Sequence, residues 1–216
     1  MKFGPAVAAL LIVASVGASA GAQSKTAKKG APAPARLHFV VAPTGNEARY
    51  RVQEQLIGVD FPNEAVGVTH DITGGLLVEP NGTVVTDSSR ITVTLTNLKS
   101  DKDRRDLFIK KRTLETEKFP TVQLVPRTFT GLTAKPGAAP CTFEVIGDLT
   151  VRGVTRPTTW KVSARAEGDD IVGTASTAFT FKDFSMDQPS VAVVLSVADT
   201  IKLEYDFRFA PVPKTP

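Results

Sequence analysis

The chain has 216 residues, of which 26 are basic, 22 acidic, two histidine and one cysteine. Lys2, Lys25, Lys28, Lys29 and Arg36 all precede residue 37; without them 21 basic residues face 22 acidic ones, so the remaining domain is near neutral and its charge gives no ground for nucleic-acid binding. The lone Cys141 excludes an intramolecular disulfide, which leaves stability to an apolar core and a strand ladder.

The chain opens with one positive charge at Lys2, an uncharged apolar run from Ala6 to Gly17, and the small residues Ala18-Ser19-Ala20. That order predicts a secretory signal peptide over residues 1–22, cut after Ala20 or Ala22, with no nearby cysteine to take a lipid. The run is too short for a bilayer core of ~30 Å at ~1.5 Å per residue. No later stretch is long and apolar enough to span, so the expected mature chain is periplasmic or secreted, with no transmembrane segment. Residues 23–36, rich in Ala, Pro, Lys and Gly, read as a disordered linker. Residues 37–210 read as one domain and 211–216 as a tail.

Within the domain, apolar residues recur with period two. Ile91, Val93 and Leu95 alternate with threonines; Phe143, Val145 and Leu149 with Glu144, Asp148 and Thr150; Trp160 and Val162 with Lys161 and Ser163; Phe179 and Phe181 with Thr180 and Lys182. The clearest run is Ile201, Leu203, Tyr205, Phe207 and Phe209 against Lys202, Glu204, Asp206 and Arg208. One apolar and one polar face per strand describes half-solvated antiparallel strands, not the continuously apolar strands of a parallel sheet. Turns are expected at Glu79-Pro80-Asn81-Gly82, between a strand ending at Val78 and one from Thr83 onward, and at Glu167-Gly168-Asp169-Asp170. Arg152-Gly153-Val154 reads as a bend in a long hairpin. About eight strands are expected, the number at which a barrel interior just admits side chains or one slender ligand.

The exception is Ser100 to Arg112, where Ser100 or Asp101 can cap a short helix and Leu107 and Phe108 mark its apolar side. Its basic residues, with the preceding Lys99, are offset by Asp101, Asp103 and Asp106 and read as a solvated face.

Three runs resemble the YceI-like family. Leu98-Lys99-Ser100-Asp101, Arg104-Arg105-Asp106 and Glu117-Lys118-Phe119-Pro120-Thr121 are similar to its central charged-helix motif. Gly147-Asp148-Leu149-Thr150-Val151-Arg152-Gly153-Val154-Thr155-Arg156-Pro157 resembles its hairpin signature, and Lys182-Asp183-Phe184-Ser185-Met186 its third motif, with Ser185 where glycine is common. The likeness runs from about Ala48 to Phe209. Its opening departs from the usual pattern and is closer to a variant branch, with Phe61-Pro62-Asn63-Glu64-Ala65-Val66-Gly67. The resemblance implies an all-β, extended, eight-stranded antiparallel lipocalin-like barrel with one short helix near a barrel end and an apolar tunnel. Some members look like carriers of polyisoprenoid chains such as an isoprenoid quinone tail; others are stress-associated envelope proteins, so membership alone does not fix function.

Catalytic groups are sparse. His38 and His70 lie about thirty residues apart on expected strands, Cys141 has no histidine or Cys-x-x-Cys partner in sequence and reads as a half-buried side chain at a strand start, and Gly74-Gly75 lacks the context of a phosphate loop. The expectation is a binding protein, not an enzyme, with no metal and no cofactor beyond a bound isoprenoid quinone or other polyisoprenoid as ligand. The rival is a ligand-free envelope module that engages another protein, and a homodimer is left open. Alternation alone favours a barrel filled by its own side chains; the family resemblance favours a tunnel for a long apolar molecule. The expected lining is Phe61, Val93, Leu95, Phe108, Leu114, Phe119, Phe129, Phe143, Val145, Trp160, Phe179, Phe181, Phe184, Leu203 and Phe207, with Phe108 and Phe119 at the mouth.

Overall fold

The computed structural model describes residues 35–213 except 59, 192 and 193. The expected signal peptide, residues 23–34 of the linker and residues 214–216 of the tail lie outside the described residues. Ten strand segments follow in chain order: β1 Leu37–Val41, β2 Glu47–Leu56, β3 Asn63–Thr69, β4 Ile72–Val78, β5 Arg90–Thr94, β6 Thr121–Thr130, β7 Cys141–Val151, β8 Val154–Glu167, β9 Asp170–Thr180 and β10 Val194–Pro211. All pairings are antiparallel.

The ten segments make eight barrel strands. β1 and β2 lie on the same side of β10: Val41 faces Phe209, and six residues later Glu47 faces Asp206. They are one strand with a break at Ala42–Asn46. β3 and β4 likewise form one strand, kinked at His70-Asp71, with β3 on β2 and β4 on β1. Every strand then neighbours its sequence neighbours, and β10 closes the cylinder against β1 and β2. Buried Asn46 holds the first break together: its amide donates to the Ala42 carbonyl (2.8 Å), and its carbonyl accepts from the Tyr205 hydroxyl (2.9 Å) and the Arg208 backbone amide (3.0 Å).

The turns follow their residue chemistry. Arg152-Gly153 is a two-residue hairpin loop with φ of 49° and 75°, both in the left-handed region that such a loop requires. Val151 therefore faces Val154 directly, and the expected bend is a full hairpin. The Asn81-Gly82 turn is also present, with Gly82 at φ 87°. The strand expected from Thr83 is reduced to a single bridge, Val78 to Val84, because a short 3-10 turn at Thr86–Ser88 intervenes before β5.

The helix is shorter than its charge pattern suggested. α1 spans Asp103–Phe108 and runs into a wider π turn at Ile109–Thr113. Lys102, not Ser100 or Asp101, occupies the N-cap position, and no side chain caps it. Ser100 instead binds forward to Asp106, through its backbone amide (2.9 Å) and its hydroxyl (2.6 Å).

The outer face carries a charge ladder. Arg49 and Arg51 on β2 both reach Glu204 on β10, at 3.2 and 2.8 Å, and Arg49 also reaches Asp206 at 2.7 Å. Arg51, then Lys202 at 2.6 Å and Arg49, hold the Glu204 carboxyl down to about 2.

Candidate functional site: a tunnel through the barrel

The inner face encloses a cavity of about 1230 Å³, larger than the ~300–1,000 Å³ of a typical small-molecule pocket. It runs the length of the barrel. At one end its wall includes Arg105, Phe108, Met186 and Val194; at the other it includes Pro80, Asn81, Leu132 and Lys135. The first, where α1 lies, is the helix end.

The interior is hollow for two reasons. Many inward positions carry small side chains, among them Ala48, Ala65, Ala164 and Ala175. The aromatic rings also pair along the wall and not across the axis: Tyr205, Phe207 and Phe209 stack as successive inward residues of β10 at 5.7 and 5.5 Å, and Phe129 meets Phe143 of the adjacent strand at 5.9 Å. The filled barrel favoured by alternation alone is therefore not what forms.

Of the expected lining residues, Val93, Leu95, Phe108, Leu114, Phe129, Phe143, Val145, Trp160, Phe179, Phe181, Leu203 and Phe207 stand on the cavity wall. Three do not. Phe61 sits in the β2–β3 turn and is 78 % exposed, because the inward alternation of β2 ends at Leu56 before the turn. Phe119 packs outside the tunnel on Gly153, where an added Cβ would come within 2.8 Å of its ring; Phe108 alone of the two expected mouth residues reaches the cavity. Phe184 is wholly buried against Phe179, ring centroids 4.5 Å apart, and supports the wall from behind.

Sequence reasoning passed over Phe39, Val52, Ile91, Val162, Ile171, Ile201, Tyr205 and Phe209, all on the wall. The period-two pattern that selected Leu203 and Phe207 also selects Ile201, Tyr205 and Phe209.

Polar residues stand on the wall at both ends, with Glu79, Asn81, Thr133 and Lys135 at one and a buried cluster at the helix end. Glu54, an inward residue of β2, pairs with Arg105 of α1 at 2.5 Å; their side chains are 7 % and 13 % exposed. Asn63 donates to the same carboxylate oxygen (3.2 Å), and Arg105 also binds Asp101. This pair ties α1 to the barrel. Tyr50 lies over Gly67 on β3, where a Cβ would come 2.0 Å from its ring. Its hydroxyl is the one buried side-chain polar atom without a hydrogen-bond partner among the described residues, and burial pushes its pKa well up.

The three family-like runs converge at this end. Arg152 of the hairpin run pairs with Glu115, just before Glu117-Lys118-Phe119, and donates to the Ser185 carbonyl of the third run (2.9 Å). Arg156 donates to the Asp183 carbonyl (3.0 Å). Asp183 accepts from the Thr180 backbone amide (2.7 Å) and hydroxyl (2.9 Å), and Ser185 takes the left-handed conformation, φ 54°, that glycine adopts most easily.

The residues considered for catalysis lie apart. His38 is exposed on the outer side of β1, His70 rests at the β3–β4 kink with its Nδ1 2.9 Å from the Asn46 carbonyl, and half-buried Cys141 opens β7 opposite Ala164. Among the described residues no group of three or more His, Cys, Asp or Glu is placed to hold a metal ion, and no helix is long and apolar enough to cross a membrane.

Comparison with known proteins agrees with this architecture. No curated protein matches the chain by sequence. A polyisoprenoid binding domain from Saccharophagus degradans, implicated in plant cell wall breakdown, superposes with a TM-score of 0.62 at 13 % identity, over 81 % of this chain and 98 % of its own. BcnA of Burkholderia cenocepacia gives 0.59 at 12 % identity, over 78 % and 98 %. The YceI protein of Campylobacter jejuni gives 0.53 at 14 % identity, over 68 % and 85 %. At such identities these likenesses speak for the fold alone. The YceI-like domain profile matches residues 39–209, all but the outermost residues of the closed barrel, and the chain belongs to the YceI-like family.

Proposed function

We propose that the chain is an exported carrier that holds one long apolar molecule, a polyisoprenoid or a similar lipid, lengthwise in the barrel. The observation that carries this reading is the open, apolar tunnel of about 1230 Å³. An empty apolar cavity forfeits dispersion contacts on every wall. A hydrocarbon chain restores them, at about 0.8 kcal/mol for each buried methylene. Such binding is a matter of shape and apolar surface and needs no catalytic group. The Saccharophagus domain supports the ligand class, and the leader-like residues 1–22 support export to the periplasm or the medium.

The test is mass spectrometry of lipid extracted from the protein purified out of its own cells, with one dominant long-chain species expected near equimolar amount. Trp160 stands on the wall and supplies a fluorescence readout for titrating the stripped protein with polyprenols. Ala175→Phe, which places a ring in the tunnel, should abolish that titration. An empty extract together with a flat wild-type titration removes the proposal.

A further inference from the structure

Four of the most exposed large apolar side chains gather at the helix end. Ile57 is 62 % exposed and Phe61 78 %, both in the β2–β3 turn; Leu195 is 70 % exposed on β10, and Leu107 is 58 % exposed on α1. Their proximity follows from register. Val194 is the Cα partner of Leu56, so Ile57 and Leu195 flank the same strand pair. Leu195 is the extra residue of a β-bulge, since Val194 faces Leu56 and Ser196 faces Gln55. Leu195 follows inward-facing Val194 and so points outward, and the bulge leaves it without a partner in the ladder. The Arg105–Glu54 pair brings α1 to the same rim.

Two further features say what this rim meets. Its apolar surface continues into the tunnel, because Ile57 and Val194 also line the cavity. The neighbouring run Lys99–Arg112 carries seven basic residues against three acidic ones, with Arg104, Lys111 and Arg112 exposed, while the turn itself adds Asp60. Exposed apolar tips beside a basic segment are the chemistry of a protein seated at a lipid interface, with side chains in the acyl boundary and cations on anionic headgroups.

We infer that the helix end docks on an anionic lipid surface through Ile57, Phe61 and Leu195, flanked by the basic α1 segment, and so presents the tunnel mouth to the bilayer. This rests on the carrier reading and adds the route: a hydrocarbon chain passes between membrane and tunnel along continuous apolar surface, without crossing water.

The experiment is vesicle co-sedimentation at low and high salt, with phosphatidylcholine vesicles and with phosphatidylcholine–phosphatidylglycerol mixtures. The wild-type chain should bind the anionic vesicles more strongly, and salt should weaken the binding. Phe61→Ser with Leu195→Ser should lower the partition coefficient by roughly tenfold or more, as expected for side chains withdrawn from an apolar phase. Lys111→Glu with Arg112→Glu should lower it on anionic vesicles alone. Both pairs are exposed, and unchanged melting of the variants confirms intact folding. Every variant keeps Lys25, Lys28 and Lys29, so differences report the rim.

No binding to anionic vesicles at low salt overturns the inference, as does equal binding by the Phe61/Leu195 variant. A wild-type dimer that this variant dissociates would assign the rim to a second copy and overturn it too. The Trp160 titration with polyprenol in vesicle-free solution distinguishes the two failures: a titrating protein that ignores vesicles keeps its tunnel and loses only this route.

Discussion

The two ends of the barrel are held by different chemistry. At the helix end, polar side chains with named partners tie segments far apart in sequence: Arg152 to Glu115 and Ser185, Arg156 to Asp183, Arg105 to Glu54. The opposite end has ion pairs too, Arg36 with Glu79 (2.7 Å) and Arg208 with Glu167, but their side chains are more exposed than those of Arg105 and Glu54, and turn geometry and packing complete it. Lys135 lies 5.5 Å above the Phe39 ring, the Ala166 amide donates to the Gly137 carbonyl (2.6 Å), and Arg208 reaches Asp170 (2.8 Å) beside the turn at Gly168. Specific partners require specific residue types at fixed spacing, whereas packing and turns accept many. The end whose partners are buried, or are backbone carbonyls at fixed positions, is the end that carries motifs.

The contrast predicts unequal responses to substitution. Phe184→Ala should cost the most, ~3–5 kcal/mol in urea unfolding, because a wholly buried ring under the helix end leaves a cavity with no route to collapse. A loss below 1 kcal/mol would show that the third motif is not a structural keystone. Glu54→Gln strands the Arg105 guanidinium in a wall position, and breaking a buried pair costs about 3–5 kcal/mol. Asp101 still partners Arg105, which places the expected loss near 2 kcal/mol, with faster hydrogen exchange across α1 as the sign that the helix has loosened.

Acid should act on the helix end before it acts on the 79–84 turn. Asp183, through the Thr180 amide and hydroxyl, and Glu115, through Lys118 and Arg152, are both held below the usual carboxylate range. A carboxyl lowered in the folded state contributes stability above its unfolded pKa and loses it as pH falls toward the folded value. Exchange at residues 115–119 and 180–185 should accordingly rise below the ordinary carboxylate range before it rises at the 79–84 turn. Simultaneous loosening of the 79–84 turn would break the contrast; the 167–170 turn, whose Glu167 is also held low through Arg208 and Arg165, should loosen together with the helix end. The smallest effect belongs to the opposite end: Lys135→Ala should cost only ~0.5 kcal/mol in a thermal melt, the worth of an exposed cation over a ring.

The same division explains what could be read from sequence. The strands announced themselves because each has a solvated outer face, as in Lys202, Glu204, Asp206 and Arg208 against their inward neighbours. The convergence of motifs at one end could be inferred from spacing only with a family in hand. Tunnel or filled core was not legible, since it depends on which rings meet across space, and Tyr205, Phe207 and Phe209 stack along their own strand. Phe61 was misplaced because alternation stops at a turn while hydrophobicity does not. The Leu195 bulge was invisible for a related reason: register slips by one residue leave no mark on composition. The eight strands were legible, but not that two of them are broken, at Ala42–Asn46 and His70-Asp71, since the local hydrogen bonds that fill the breaks follow no pattern.

Closure of the cylinder between its first and last strands has a kinetic consequence. Five strands, β6 to β10, can pair in succession with near neighbours, but β2 finds its second partner some 150 residues downstream, as in Arg49 opposite Glu204. Its continuation β1 reaches farther still, Phe39 opposite Pro211, so this seam carries the largest loop-closure entropy in the domain, and synthesis delivers β10 last. Until then the inner wall is an open, greasy sheet with two free edges. The nascent chain thus passes through a stage when it needs shelter from other chains, and sealing the seam ends that exposure and completes the cavity in one event.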